Sequence, residues 1–189
     1  MAEALTSVDR LREIALEQHG FVTARQAYDA GVSPPLLAMM VRRGRIDHVS
    51  RGVYRLGQMP VIPYAPLMQA VLWTGFPEAC LSHESALDAW DISDINPDKI
   101  HVTVGAKRRV ERVIPARYVI HREDLTPPEM TWWESIPIVT AGTAIRQCLE
   151  TGVPTYLIRQ ALERSARTGL VPPAERDHLT TLLEARYDQ

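Results

Sequence analysis

Residues 20–56 have the sequence GFVTARQAYDAGVSPPLLAMMVRRGRIDHVSRGVYRL, and this stretch decides the fold. Thr23 is followed three residues later by Gln26, which is the spacing of a capping box at the start of a helix. Gly31 can take the positive φ that often ends a helix. The spacing therefore predicts a short helix over 24–30.

A second helix is predicted directly after the first. Ser33 is a good N-cap residue, and Pro34 suits the first helical position because the N–H that proline lacks has no helical partner there. Gly44 marks the end of this helix near Arg43. Two short capped helices joined by a glycine turn are typical of a helix-turn-helix.

The residues after the second helix predict a β-hairpin. Strand-forming side chains flank a turn at Arg51 and Gly52, and they are Ile46, Val49, Val53, Tyr54 and Leu56. A helix-turn-helix followed by a hairpin is a winged helix. Phe21 and Val22 are placed to add a short strand beside the wing, and the apolar spacing over 7–18 predicts a supporting helix.

Arginine is concentrated at the end of the second helix and in the wing. Asp47 is the only acidic residue among five arginines, which are Arg42, Arg43, Arg45, Arg51 and Arg55. Guanidinium groups suit phosphate oxygens and guanine edges because their donors form a rigid fork. A solvated helix end, in which cations complement the helix dipole, would explain only the first two arginines. We interpret the segment as a DNA-binding surface.

The second helix offers few groups for reading base edges. Its spacing predicts that Leu37, Met40 and Val41 are buried, which leaves mostly apolar residues facing outward. We expect phosphate contacts to dominate affinity, with apolar contact to thymine methyls, or a protein contact through Leu36 and Met39, as the alternatives for this face. The expected DNA-contacting residues are Ser33, Pro35, Ala38, Met39, Arg42, Arg43, Arg45, Arg51 and Arg55.

Composition adds a modest charge asymmetry. The net charge of the chain is −2, but residues 1–60 hold 8 Lys and Arg against 6 Asp and Glu, and the remainder is acidic. A mildly basic head on an acidic body fits a DNA-binding module attached to another domain. Cys80 and Cys148 lack any ligand spacing and are expected to be reduced core residues. With no signal peptide or membrane span in the sequence, we expect a cytoplasmic protein.

A proline-rich stretch, GQMPVIPYAP over 57–66, predicts a connection between two domains. We expect an α+β protein, with an N-terminal winged helix-turn-helix over 1–58 and a mixed α/β domain over 62–189. The second domain is expected to contain a small sheet and terminal helices. Its predicted strands are 99–104, 110–114, 117–121 and 136–139, and its first two helices are predicted at 65–74 and after Ser82.

Several segments together resemble a known family. QAYDAGVS, LLAMMVRRGRI and SRGVYRL in the first domain, with CLSHESALDAWDI, KIHVTV, YVIHREDL and IPIVTAGTAIRQCLE in the second, are similar to the AbiEi antitoxins of bacterial type IV toxin–antitoxin systems and related transcriptional regulators. The resemblance covers most of residues 7–150. It implies that the winged helix binds inverted repeats in the protein's own promoter region and represses its operon.

The same resemblance implies a second task for the C-terminal domain. This domain would neutralise a nucleotidyltransferase-like toxin of the AbiEii type, and whether the two proteins touch is left open. The alternative is a stand-alone winged-helix transcriptional regulator whose second domain senses a signal or dimerises. Both interpretations describe a protein with no cofactor.

The residues do not favour an enzyme. A metal-dependent nuclease needs paired carboxylates and a lysine, yet no Glu-x-Lys follows Asp98 on a second strand. His83 and Glu84 begin an HExxH pattern, but Leu87 stands where the second histidine is required. His101 and His121 are expected at strand ends, where they can approach each other. We expect no catalytic residues, no metal site and no cofactor-binding residues.

A second basic cluster lies further along the chain. Residues 107–122 hold six cations, and Glu111 is the only acid among them. Lys107, Arg108, Arg109 and Arg112 lie at the start of this segment, and Arg117 and Arg122 lie towards its end. On a hairpin they would form a positive surface for additional DNA backbone contact. They would equally suit an acidic toxin, or an ordinary solvated hairpin. The sequence leaves these three interpretations open.

Overall fold

The computed structural model describes residues 6–57, 59–60 and 62–186. The chain divides into two units, one of Met1–Pro77 with Glu134–Ile136 and the other of Glu78–Trp133 with Pro137–Gln189. The division falls later than the boundary expected at residues 58–62, because the helix Ala65–Thr74 groups with the first unit.

The first unit contains the predicted winged helix. Its sheet is antiparallel with the strand order β1-β3-β2, so the short strand that follows the first helix pairs with the outgoing strand of the wing. The elements are α1 (Ser7–Glu17), β1 (Phe21–Thr23), α2 (Ala24–Asp29), α3 (Pro34–Arg42), β2 (Ile46–Ser50), β3 (Val53–Leu56) and α4 (Ala65–Thr74).

Local capping explains where α1 and α2 begin. Thr23 and Gln26 form the expected capping box, in which the threonine oxygen accepts from Gln26 N at 3.2 Å and the amide oxygen accepts from Thr23 N at 2.9 Å. Thr6 and Asp9 form a second box at the start of α1. Gly31 has φ of +85°, which lets the chain turn into α3 without the steric cost of a side chain.

The core of the winged helix lies between α1, α2, α3 and the sheet. Leu37 and Met40 are buried as predicted, but Val41 is only partly buried, and Leu36, expected to face outward, packs partly against the same core. Leu36 lies one turn before Met40 and beside Leu37, so it flanks the buried stripe. The fully buried members of this core include Leu11, Ala15, Val22, Ala27 and Ile46.

The second unit is built on a five-stranded mixed sheet with the order β6-β5-β4-β8-β7. Three helices follow the last strand, so the fold is α+β as predicted. The elements are β4 (Cys80–Leu81), α5 (His83–Ala89), β5 (Ile100–Val104), β6 (Tyr118–Arg122), a 3₁₀ turn (Pro127–Glu129), β7 (Met130–Trp133), β8 (Ile136–Val139), α6 (Ala141–Glu150), α7 (Thr155–Thr168) and α8 (Pro173–Ala185).

One predicted strand is wrong. Residues 110–114 are irregular, and the whole segment 105–117 is a loop between β5 and β6. These two strands are parallel, with registers from Ile100↔Tyr118 to Val104↔Arg122. Parallel neighbours need a crossover rather than a tight turn, so the basic cluster lies on a crossover loop and not on a hairpin.

Helix α6 supplies a large part of the second core. Ala141, Ile145 and Cys148 are buried on one face, and the polar Gln147 is fully buried beside them. Within the described residues, every helix is too short or too polar to cross a membrane.

Candidate nucleic-acid interface

The outward face of α3 is apolar between two polar ends. Ser33 is exposed at the N-terminal end, and its hydroxyl makes no capping hydrogen bond to the helix. Pro35 and Ala38 are exposed, and Met39 is half-buried. Arg42 is exposed at the C-terminal end. The face therefore has hydrogen-bonding side chains only at its ends.

Three arginines lie where α3 passes into the wing. Arg42 ends the helix, Arg43 is its C-cap, and Arg45 follows the left-handed turn at Gly44, where φ is +65°. All three side chains are exposed, and within the described part of the chain they have no hydrogen-bonding or ion-pair partner. We call Arg42, Arg43 and Arg45 the junction arginines. Their charges are available to an anionic partner.

Arg51 lies at the tip of the wing. It is exposed in the turn between β2 and β3, and Gly52 beside it has φ of +76°. The carbonyl oxygen of Gly52 accepts from Ala24 N at 2.8 Å, which ties the wing turn to the first residue of α2. This hydrogen bond thus fixes the tip of the wing to the helix-turn-helix.

Arg55 is placed differently from the other predicted DNA contacts. It is partly buried, and its guanidinium donates to the carbonyl oxygen of Met59 at 2.8 Å and to that of Pro60 at 3.2 Å. These bonds hold the chain that leaves β3 against the wing. Since Nη2 is occupied by two backbone carbonyls, Arg55 has a structural role within this unit.

The second basic cluster is partly neutralised by its own unit. Arg108 makes a bidentate ion pair with Glu78, which raises the pKa of the guanidinium and lowers that of the carboxyl. Arg117 donates to the Tyr118 hydroxyl and lies 4.9 Å above the centre of that ring. Lys107 and Arg109 are exposed, and Arg112 is partly buried. The loop offers a weaker positive surface than its composition predicts.

A cluster of three histidines lies in the second unit. His101 Nδ1 and His121 Nε2 are 3.1 Å apart, as their expected approach requires, and His83 joins them. The His83 and His121 rings stack with their centroids 3.5 Å apart and their planes 13° from parallel. His83 was missed as a partner because only the packing of α5 on β5 brings it there.

This cluster is not arranged as a metal site. Stacked parallel rings point their in-plane lone pairs side by side, so His83 and His121 cannot converge on one ion at about 2.0–2.1 Å. In the part of the chain that the structure describes, no group of three or more His, Cys, Asp and Glu side chains is placed to hold a metal ion.

Burial keeps the histidines neutral. It lowers the pKa of His83 to about 3 and that of His121 to about 4, with the neighbouring histidines adding to both shifts, and it lowers the pKa of His101 as well. The backbone of His83 has a left-handed φ of +52°, and its N–H donates to the Gln147 side chain at 3.1 Å. These contacts fix His83 in the core, beside the partly buried His101 and His121.

The side chains that resemble nucleophiles are inaccessible. Ser82 is fully buried, with its hydroxyl 3.0 Å from His83 Nδ1. Cys80 is also fully buried, and burial raises the pKa of its thiol to about 12, so the thiolate is not formed near neutral pH. Neither side chain has the exposed position that covalent catalysis needs.

The match to a protein-family model lies within the winged helix. Residues 9–57 match a family model described as transcriptional regulator, AbiEi antitoxin. No curated protein matches the chain. A crystal structure of the RV2827C protein from Mycobacterium tuberculosis is similar at a TM-score of 0.44 and 14% identity, over 95% of this chain and 82% of that one.

Proposed function

We propose that the protein is an antitoxin that represses its own operon, because residues 9–57 match the family model described as transcriptional regulator, AbiEi antitoxin. The winged helix binds operator DNA in the promoter region. The second unit neutralises a nucleotidyltransferase-like toxin. The protein works in the cytoplasm, where its DNA is, and it does so without catalysis or a cofactor.

The observation that carries the DNA-binding half is the position of the junction arginines. They are exposed and unpaired within the described residues, and they lie between α3 and the wing, the two parts with which winged helices contact DNA. Phosphate contacts supply a large share of the affinity of such proteins. Arg51 at the wing tip extends the same positive surface, whereas Arg55 supports the wing from within.

Repression is tested with a reporter under the protein's own upstream DNA. The wild-type chain is expected to lower reporter output and to bind the upstream duplex more tightly than a scrambled duplex of the same composition. The full-length variant R42A/R43A/R45A is expected to lose repression. Equal output with and without wild-type protein would contradict the proposal.

Toxin neutralisation is tested with the same full-length variant. Its substitutions are exposed and confined to the first unit, so the second unit keeps its structure. We expect R42A/R43A/R45A to protect cells from the toxin encoded beside it as well as wild type does, although it no longer represses. Failure of the wild-type chain itself to protect would exclude the antitoxin role.

A stand-alone transcriptional regulator is the second candidate, because the family match covers only residues 9–57. In that case the second unit senses a signal or dimerises. Repression without any protection from a co-expressed toxin is the result that would favour this alternative.

A further inference from the structure

The outward face of α3 suggests how the proposed operator is read. From Pro34 to Val41 the helix has no polar side chain, and its exposed middle is formed by Pro35, Ala38 and the half-exposed Met39. Such a face cannot donate or accept hydrogen bonds at base edges. Any discrimination by the middle of the helix must come from apolar contact.

Only one base supplies an apolar group in the major groove. Thymine presents its C5 methyl there, whereas guanine, cytosine and adenine present hydrogen-bonding groups that are otherwise hydrated. Pressing an apolar helix face against those groups removes their water without replacing it, which costs free energy. Covering a thymine methyl instead removes apolar surface from water.

The charges beside this face indicate that its partner is DNA. The junction arginines lie at its C-terminal end, exposed and without an ion-pair partner in the described residues. Positive charge of this kind complements a phosphate backbone and positions a helix in the groove. An apolar strip that ends in unpaired guanidiniums therefore fits the major groove of duplex DNA, with phosphates at its border and bases beneath its middle.

We propose that Ala38 and Met39 recognise thymine C5 methyl groups, so that the operator is selected for thymines in the major groove beneath α3. This inference rests on the proposed function and specifies the ligand of the same site. Ser33, the N-cap, and Arg42, the last residue of α3, are then the polar side chains that border the thymine-reading strip, one at each end.

The experiment removes the methyl groups without changing base pairing. Deoxyuridine replaces thymidine in the protein's upstream duplex, a few positions at a time, and binding is measured by fluorescence anisotropy at fixed salt. Each methyl that α3 covers is expected to weaken binding about fourfold when it is removed, the loss expected for about one buried methylene. Positions outside the α3 footprint should be insensitive.

Protein variants assign the effect to α3. Met39→Ala is expected to weaken binding to the thymine duplex. It should also lose less affinity than wild type when deoxyuridine replaces thymidine, because the thymine methyl no longer contacts the Met39 side chain. Arg45→Ala is the matched control, since it should weaken binding but keep the full deoxyuridine effect. Circular dichroism confirms that each variant is folded.

The outcomes separate this inference from the proposed function. Preference for the upstream over the scrambled duplex, combined with unchanged affinity at every deoxyuridine placement, would overturn thymine recognition and leave the repressor intact. A deoxyuridine effect that is the same in wild type and in Met39→Ala would also overturn it. No preference for the upstream duplex would contradict both.

Discussion

His83 and His121 stack ring on ring in the second unit, with centroids 3.5 Å apart. His83 comes from the first residue of α5 and His121 from β6, so the stack joins a helix to a strand. His101 Nδ1 lies 3.1 Å from His121 Nε2 and extends the cluster across the parallel strand pair. Three imidazoles can lie at these distances only when most of them are neutral, because imidazolium charges so close together would repel each other.

The first prediction concerns acid stability. The folded-state pKa of His83 is about 3 and that of His121 about 4, both below the unfolded value near 6.5, so the unfolded chain binds more protons between those limits. The stability of the neutral cluster is complete above about pH 6.5 and is lost as the pH falls towards 4 and 3. Urea unfolding at pH 7 and pH 4.5 should show this loss.

Charged neighbours modify this dependence but do not reverse it. Arg146 on α6 lowers the pKa of His83, Glu123 raises that of His121, and Glu84 and Lys99 act in opposite directions on His101. His121→Asn should reduce the difference in unfolding free energy between the two pH values. His178→Asn on the exposed side of α8 is the control for removing an imidazole, and an unchanged difference in His121→Asn would contradict the account.

The second prediction concerns Gln147, which is fully buried beside the histidines. Its amide oxygen accepts from His83 N at 3.1 Å, and its nitrogen donates to Glu123 at 2.6 Å. Gln147→Leu leaves the buried His83 N–H without an acceptor, at a cost of roughly 1–3 kcal/mol. Glu123 loses one donor but keeps its bond to Arg146. Gln160→Leu, at a partly exposed site where water can replace the missing bonds, should cost less in the same denaturation series. Equal losses of unfolding free energy in the two variants would contradict the larger contribution of the buried Gln147 hydrogen bonds to stability.

The third prediction separates Arg55 from the junction arginines. Arg55→Met keeps the length of the side chain but removes the donors to Met59 and Pro60, so it should lower the stability of the first unit by about 1 kcal/mol. It should leave the salt dependence of DNA binding unchanged. Arg45→Met is the matched substitution. It should leave the stability of the first unit unchanged and should reduce the salt dependence of DNA binding. A reduced salt slope in Arg55→Met would show that this guanidinium also contacts phosphate.

The winged helix could be predicted because its signals are local in sequence. Thr23 with Gln26 sets the start of α2, and glycines with positive φ set the turns, so no distant residue is needed. The parallel pairing of β5 and β6 depends on residues far apart in the sequence. The apolar residues within 110–114 therefore predicted a strand, although this segment belongs to the loop that crosses between the two parallel strands. The missed strands β4 and β7 are short, and the sheet rather than the sequence defines them.

The predicted DNA-contacting residues show the same limit of sequence-based prediction. Type and spacing identified five arginines alike, but partners distinguish them: Arg55 meets backbone carbonyls four and five residues later, and Arg42 meets solvent. The same is true of Arg108, whose partner Glu78 lies 30 residues away. Sequence gives the charge of a side chain, whereas its availability depends on what the fold places beside it.

The salt dependence of binding to the upstream duplex tests the central claim most directly. Affinity is measured across a salt series for wild type and for R42A/R43A/R45A, on the upstream duplex and on a scrambled one. We predict that wild type prefers the upstream duplex, and that the slope of log affinity against log salt falls by about 0.9 for each phosphate that the variant no longer neutralises. The same slope for both proteins would contradict the assignment of these arginines as the DNA-binding surface.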